Sequence, residues 1–237
     1  MPNAPLVVAV LHSNAEDKHH QLYCAAYGIE MQIDDEWDAE LVLLAPHEHL
    51  SAVTEDTGVT GEDAGIVSAG VTDIPMKKVG MPALAAIEND HNNWLLIGGA
   101  GNTDSEQTAR SKLRAALDAG CRVVVCFSEI DSGQLPTRLE GLDPSHLPHL
   151  VIAYTGPDAA RPAAAQTAVR SVRECLRSSL GAAKGWRFIV GGKITAKNAA
   201  ALTAIPDISG VLLEAEKYDN FGDILDILKA LGDSDGD

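Results

Sequence analysis

Eight short apolar runs punctuate the chain: PLVVAVL (5–11), ELVLLAP (40–46), GIVSAG (65–70), WLLIGG (94–99), RVVVCFS (122–128), LVIAYTG (150–156), RFIVGG (187–192) and GVLLEAE (210–216). Each is continuous rather than alternating, the pattern of strands covered on both faces in a parallel sheet. Between them the period changes. In 162–181, Ala165, Ala168, Val169, Val172, Cys175 and Leu176 form one stripe at helical spacing, with Pro162 fitting the first turn and Gly181 the C-cap. In 105–120, Ser105 is placed to cap a helix whose stripe is Ala109, Leu113, Ala116 and Leu117, ending at Gly120. A last helix, 220–231, carries Phe221, Ile224, Leu225 and Leu228. The segment 129–148 holds three prolines and two glycines, so it is predicted to contain no more than a short helix.

Strand and helix alternate to the end without a linker-like stretch. The pattern predicts one α/β domain over 1–237, a (β/α)8 barrel of eight parallel strands with some helices and loops shortened. An open doubly wound sheet is the alternative. With 237 residues, 46% of them hydrophobic, the chain can fill one large core. Thirty-four acidic residues against 18 basic ones give a formal charge of −16. That charge argues against nucleic acid and anionic membrane as partners, since both are held by clustered lysine and arginine. Cys24, Cys121, Cys126 and Cys175 show no paired metal-ligand spacing and read as reduced, mostly buried thiols. No basic, apolar leader opens the chain and no run approaches the roughly 20 apolar residues of a membrane helix, so a cytoplasmic protein is expected. The acidic tail 232–237 is expected to fray.

The chemistry-bearing residues gather where runs end. Gly191-Gly192 follow the seventh run, and paired glycines there let a backbone approach an anion closely. The eighth run nevertheless ends in Glu214-Ala215-Glu216, two carboxylates directed at the same region. Lys193 next to them reads as an internal partner for Glu214 rather than a nucleophile, because nearby acids stabilise the ammonium. His12 ends the first run, but a lone histidine is more often hydrogen-bonded than a metal ligand. His19-His20 and His47-x-His49 look metal-like, yet such neighbours do not share a helix face, so no metal site and no cofactor are expected. Asp34, Asp35, Glu36 and Asp63 read as loop charges.

The stretches "AELVLLAPHEHLSAV" (39–53), "NWLLIGG" (93–99), "GCRVVVCFSE" (120–129), "LVIAYT" (150–155) and "FIVGGKITAKNAAALTAIPDISGVLLEAE" (188–216) resemble, in order and spacing, strand regions of the triosephosphate isomerase family. The resemblance implies the barrel fold and a mouth built from a carboxylate base, a neutral imidazole, a lysine and a backbone phosphate cradle. It also implies departures. The base position is Thr155, the imidazole position is Gly99 and the glutamate two residues further is Gly101; His12 aligns with the lysine. Asn14 and Glu129 match the family pattern, Glu129 at a position without a proton-transfer role. Gly191 and Gly192 remain from the cradle, whose second glycine pair aligns with Glu214-Ala215. The lid is cut to GPDAARPAAAQ, 156–166, and the family's dimer-forming third loop is shortened over 70–81, where Met76 and Met81 are apolar. The resemblance therefore implies a relative without isomerase activity, binding a protein or small metabolite. Its alternative is a small-molecule isomerase or lyase with a rebuilt mouth using His12, Lys193, Glu129 or Glu214. A monomer, or a dimer through another surface, is expected.

Overall fold

The computed structural model describes residues 4–11, 18–33, 38–54, 67–73, 93–99, 102–129, 133–181, 185–215 and 221–232. Eight parallel strands close on themselves in sequence order: β1 (Leu6–Leu11), β2 (Glu40–Ala45), β3 (Val67–Val71), β4 (Trp94–Ile97), β5 (Arg122–Phe127), β6 (Leu150–Tyr154), β7 (Arg187–Val190) and β8 (Gly210–Ala215). The last strand pairs with the first, Leu6 opposite Gly210 through Leu11 opposite Ala215, and this closure removes the open-sheet alternative. Each strand falls inside or within a residue of its apolar run.

The continuous runs follow from the two-sided burial. Leu6, Val8, Val10, Val42, Leu44, Leu96, Val124, Cys126, Ala153, Ile189 and Leu212 fill the barrel interior. The alternate positions, among them Val7, Ala9, Leu41, Leu43, Val123, Val125 and Val190, pack outward beneath the helices. At burial values of about 25 cal/mol per Å² of apolar surface, both sets contribute, so most strand middles are apolar on both faces and charged residues stand at or near the strand ends. Glycine stands where strands crowd most. A Cβ on Gly210 would lie 1.9 Å from the carbonyl oxygen of Leu6, and one on Gly70 would lie 2.2 Å from that of Trp94.

Polar groups close the N-terminal end. The Glu40 carboxylate binds Arg122 at 3.3 Å and Arg187 at 2.5 Å, Arg187 also donates to the carbonyl of Ala4, and Arg122 lies over the Trp94 ring. In such barrels this face serves stability while the opposite face carries function.

The helices follow their sequence signals. Ser105 caps the Glu106–Asp118 helix by accepting from the Thr108 N–H, and Ala109, Leu113, Ala116 and Leu117 are buried. The Pro162–Leu180 helix has proline in its first turn and ends at Gly181 with φ 63°; its stripe is buried except for Cys175, which is half-buried. The Phe221–Gly232 helix buries Ile224, Leu225 and Leu228. The proline-rich segment forms a six-residue helix, Gln134–Leu139, and a 3-10 turn, Pro144–His149. His47 and His49 lie in a 3-10 turn after β2, both half-buried. Among the described residues no helix is long and apolar enough to cross a membrane. Met76, Met81, Asp34, Asp35, Glu36 and Asp63 lie outside the described residues, as does most of the shortened third loop.

Lys112, 6% exposed on the Glu106–Asp118 helix, reaches Asp104 at 2.5 Å and Asp73 at 2.7 Å, tying that helix to the end of β3. Burial alone would push its ammonium down, but the hydrogen bonds and charges of both aspartates outweigh burial and hold it above its ordinary 10.5. A raised value in the fold means this stabilisation is complete below the unfolded value and lost as pH rises through the folded one. Thermal melts should therefore show an alkaline loss of stability beginning above pH 10.5. Lys112→Met should lack that component. Coincident alkaline slopes for the two proteins would contradict the assignment.

Candidate active site at the barrel mouth

A cavity of about 1120 Å³ opens at the C-terminal ends of β4–β8, the face that carries function in barrels of this kind. Of the residues singled out in the sequence, Gly99, Thr155, Gly192, Lys193 and Glu214 line it together. Gly191 is buried behind the wall, where its N–H donates to the Tyr154 carbonyl at 2.8 Å. Glu129 is exposed beyond the end of β5 and is not part of the cavity lining. His12, Asn14 and Gly101 lie outside the described residues.

The β6 end is held by main-chain bonding. The Thr155 N–H donates to the Phe127 carbonyl at 2.9 Å, and its hydroxyl donates to the same oxygen at 3.3 Å. The lid-length segment that follows folds into tight turns, with the Ala159 N–H on the Gly156 carbonyl and the Arg161 N–H on that of Asp158, both at 2.9 Å. Proline then starts the next helix.

Lys193 is positioned by the helix after it. Gly192 takes a φ of 97°, in the left-handed region. Thr195 and Asn198 form a reciprocal capping box at the start of the Ala196–Thr203 helix, and the Asn198 amide donates to the Lys193 carbonyl at 2.9 Å. Among the described residues, the Gly192 and Lys193 N–H groups have no protein acceptor. The internal ion pair expected between Lys193 and Glu214 is not formed. Both side chains are exposed where they line the mouth.

Charges that the sequence did not single out complete the lining. Arg138 clasps Glu106 through two bonds, Nε to Oε2 at 2.7 Å and Nη2 to Oε1 at 2.9 Å, and its Nη1 donates to the Cys126 carbonyl. Its side chain is 8% exposed. Arg161 pairs with Asp158 at 3.2 Å, while Asp104 pairs with Lys112. Asp223 enters from the Phe221–Gly232 helix. Only Ser105, as an N-cap signal, pointed toward the placement of Glu106. Arg138 lies in the segment read as trimmed and had no motif.

Cys126 is fully enclosed beneath this floor. Burial pushes its thiol up, the nearby Glu214 charge adds to the rise and Arg138 opposes it, leaving it at about 12. At neutral pH it is a protonated, weak nucleophile. Cys121 is also buried, whereas Cys175 is half-buried and Cys24 is exposed. Native thiol titration at neutral pH should label Cys24 fast and half-buried Cys175 slowly, with Cys121 and Cys126 reacting on unfolding. Fast labelling of Cys126 in the folded protein would overturn this placement. Among the described residues no group of three His, Cys, Asp or Glu side chains is arranged to hold a metal ion.

An eight-stranded β/α barrel with an open, charged mouth and a glycine turn after its seventh strand belongs to a class built to receive small molecules at that end. The chain belongs to the triosephosphate isomerase family, whose model matches residues 100–230. A triosephosphate isomerase from Symbiobacterium thermophilum is 29% identical over 206 residues, covering 76% of this chain and 79% of that protein. One from Solibacter usitatus is 27% identical over 207 residues, covering 76% and 82%. One from Bordetella pertussis is 32% identical over 142 residues, covering 51% and 56%.

Proposed function

We propose that this family member does not interconvert triose phosphates and that its mouth binds a different small metabolite. The observation that carries the reading is Thr155: at the position the resemblance assigns to the base stands a hydroxyl that donates to the Phe127 carbonyl. A threonine hydroxyl has no basic lone pair matched to neutral pH, so the step that would start isomerisation has no acceptor for its proton. Gly99 supplies no side-chain electrophile, and the resemblance implies a lid cut to 156–166. The open cavity favours a metabolite over a purely structural role, since a scaffold would fill that space with its own side chains. Lys193 and Glu214, which have no ion-pair partner among the described residues, also support a second reading, in which the rebuilt mouth performs isomerase or lyase chemistry on another substrate. A cytoplasmic monomer, or a dimer through a surface other than the family loop, accompanies both readings.

The test is a thermal-shift screen of phosphorylated and unphosphorylated metabolites followed by turnover assays on each hit. A ligand at a hundred times its Kd stabilises by about 2.7 kcal/mol, well within reach of such a screen. Tight binding and turnover of a triose phosphate would refute the reading. Turnover of another hit would favour the rebuilt enzyme.

A further inference from the structure

We propose that the mouth recognises a small zwitterion, with its carboxylate at the Gly192–Lys193 turn and its ammonium at Glu214 and Asp223. The inference rests on the reading that this barrel binds a metabolite other than a triose phosphate. Its starting point is charge. The described lining residues include three cations, Arg138, Arg161 and Lys193, against five carboxylates, Asp104, Glu106, Asp158, Glu214 and Asp223. Most of these are already committed: Arg138 to Glu106, Arg161 to Asp158, and Asp104 to Lys112. Among the described residues, Lys193, Glu214 and Asp223 have no ion-pair partner, and all three side chains are exposed.

The uncommitted groups divide by sign. On the β7 side stand the Lys193 ammonium and the unaccepted N–H groups of Gly192 and Lys193, all donors. On the β8 side stand two carboxylates, acceptors only. A dianionic phosphate would satisfy the first group but meet surplus negative charge from the second, and the protein's net −16 adds to the repulsion. A simple amine would leave Lys193 opposed. A molecule carrying one charge of each sign offsets both, and it supplies the bridge that Lys193 and Glu214 do not make to each other. No covalent step is involved; the proposal concerns recognition.

The experiment is calorimetric titration of the full chain with a series of ω-amino acids of increasing length, α-amino acids and a dipeptide. Alkylamines and alkanoates of matched length serve as single-charge controls, and glycerol 3-phosphate as the phosphate control. At least one zwitterion should bind at least about tenfold tighter than either of its single-charge analogues, each tenfold step being 1.4 kcal/mol. Glu214→Gln and Lys193→Gln should each weaken it about tenfold or more, and both variants should keep the unliganded melting temperature because the residues are exposed. Glu214→Gly should shift preference toward the phosphate control. Equal binding of zwitterions and single-charge analogues, tighter binding of glycerol 3-phosphate, or no response to the whole series at millimolar concentration would each overturn the proposal. An absent isomerase activity combined with such a result would leave the broader reading standing and remove this one alone. Isomerase activity would remove the broader reading whatever the titration gave.

Discussion

Purified protein should convert dihydroxyacetone phosphate at no more than the background rate. Isomerisation begins with loss of a proton from a weakly acidic carbon, and that requires a positioned base. At the position the resemblance assigns to that base stands Thr155, whose hydroxyl donates to a main-chain carbonyl. A general base contributes roughly 10²–10⁴-fold, and a lost electrophile such as the one Gly99 replaces removes roughly another 10²–10³-fold. The two groups act as a unit, so the losses do not simply multiply, but either is sufficient to leave activity far below that of a working enzyme. The resemblance also implies a lid cut to 156–166 and, at Glu214, a negative charge in place of the second glycine pair of the phosphate cradle. Both remove the remote binding energy that such an enzyme spends on its transition state. Thr155→Glu alone should not rescue turnover, because the position the resemblance gives to the imidazole is Gly99. The measurement is a coupled assay on protein from a host lacking its own isomerase, so that contamination cannot mimic activity. Rates within a few orders of magnitude of a true isomerase, abolished by His12→Ala or Glu129→Ala, would show the reading to be wrong.

Glu106→Ala is expected to destabilise the fold by about 2–3 kcal/mol. The Arg138 side chain, 8% exposed, depends on Glu106 for two of its three hydrogen bonds among the described residues. Removing one partner of a buried pair leaves an uncompensated charge at a cost of roughly 3–5 kcal/mol when both are buried. The side chain of Glu106 is 35% exposed, so water entering after the truncation recovers part of that. For a chain of this length the change corresponds to a fall in melting temperature of roughly 5–10 °C. Glu140→Ala provides the comparison. It removes the Arg110–Glu140 pair, with side chains 29% and 67% exposed, and should cost roughly 0–1 kcal/mol because solvent screens it. Urea unfolding of the two variants separates the cases. Equal midpoints would mean that the Arg138 clasp contributes nothing beyond an ordinary surface pair.

The strands were legible because a parallel barrel buries both faces of each one, which forces continuous apolar runs such as RVVVCFS and LVIAYTG. Helix ends were legible where local chemistry decides them: Ser105 accepting from its own third residue, Pro162 in a first turn, Gly181 in the left-handed region. These features depend on neighbours within a few positions. The mouth is different. That Gly99, Thr155, Gly192, Lys193 and Glu214 meet around one cavity follows from the resemblance and from closure of β8 onto β1, an event between chain ends.

Sequence adjacency misled at one point. Lys193 and Glu214 have opposite charges after neighbouring strands, yet they form no ion pair with each other. Sequence by itself thus determined the eight strands and the main helices. Tertiary structure alone decided that Arg138 would clasp Glu106 across 32 positions, that Lys112 would reach Asp73 across 39, and which charges remain free in the mouth. Hydrophobic periodicity and capping are local and repeat along the chain, whereas an ion pair between distant segments has no period and is chosen only once the core has brought its partners within bonding distance.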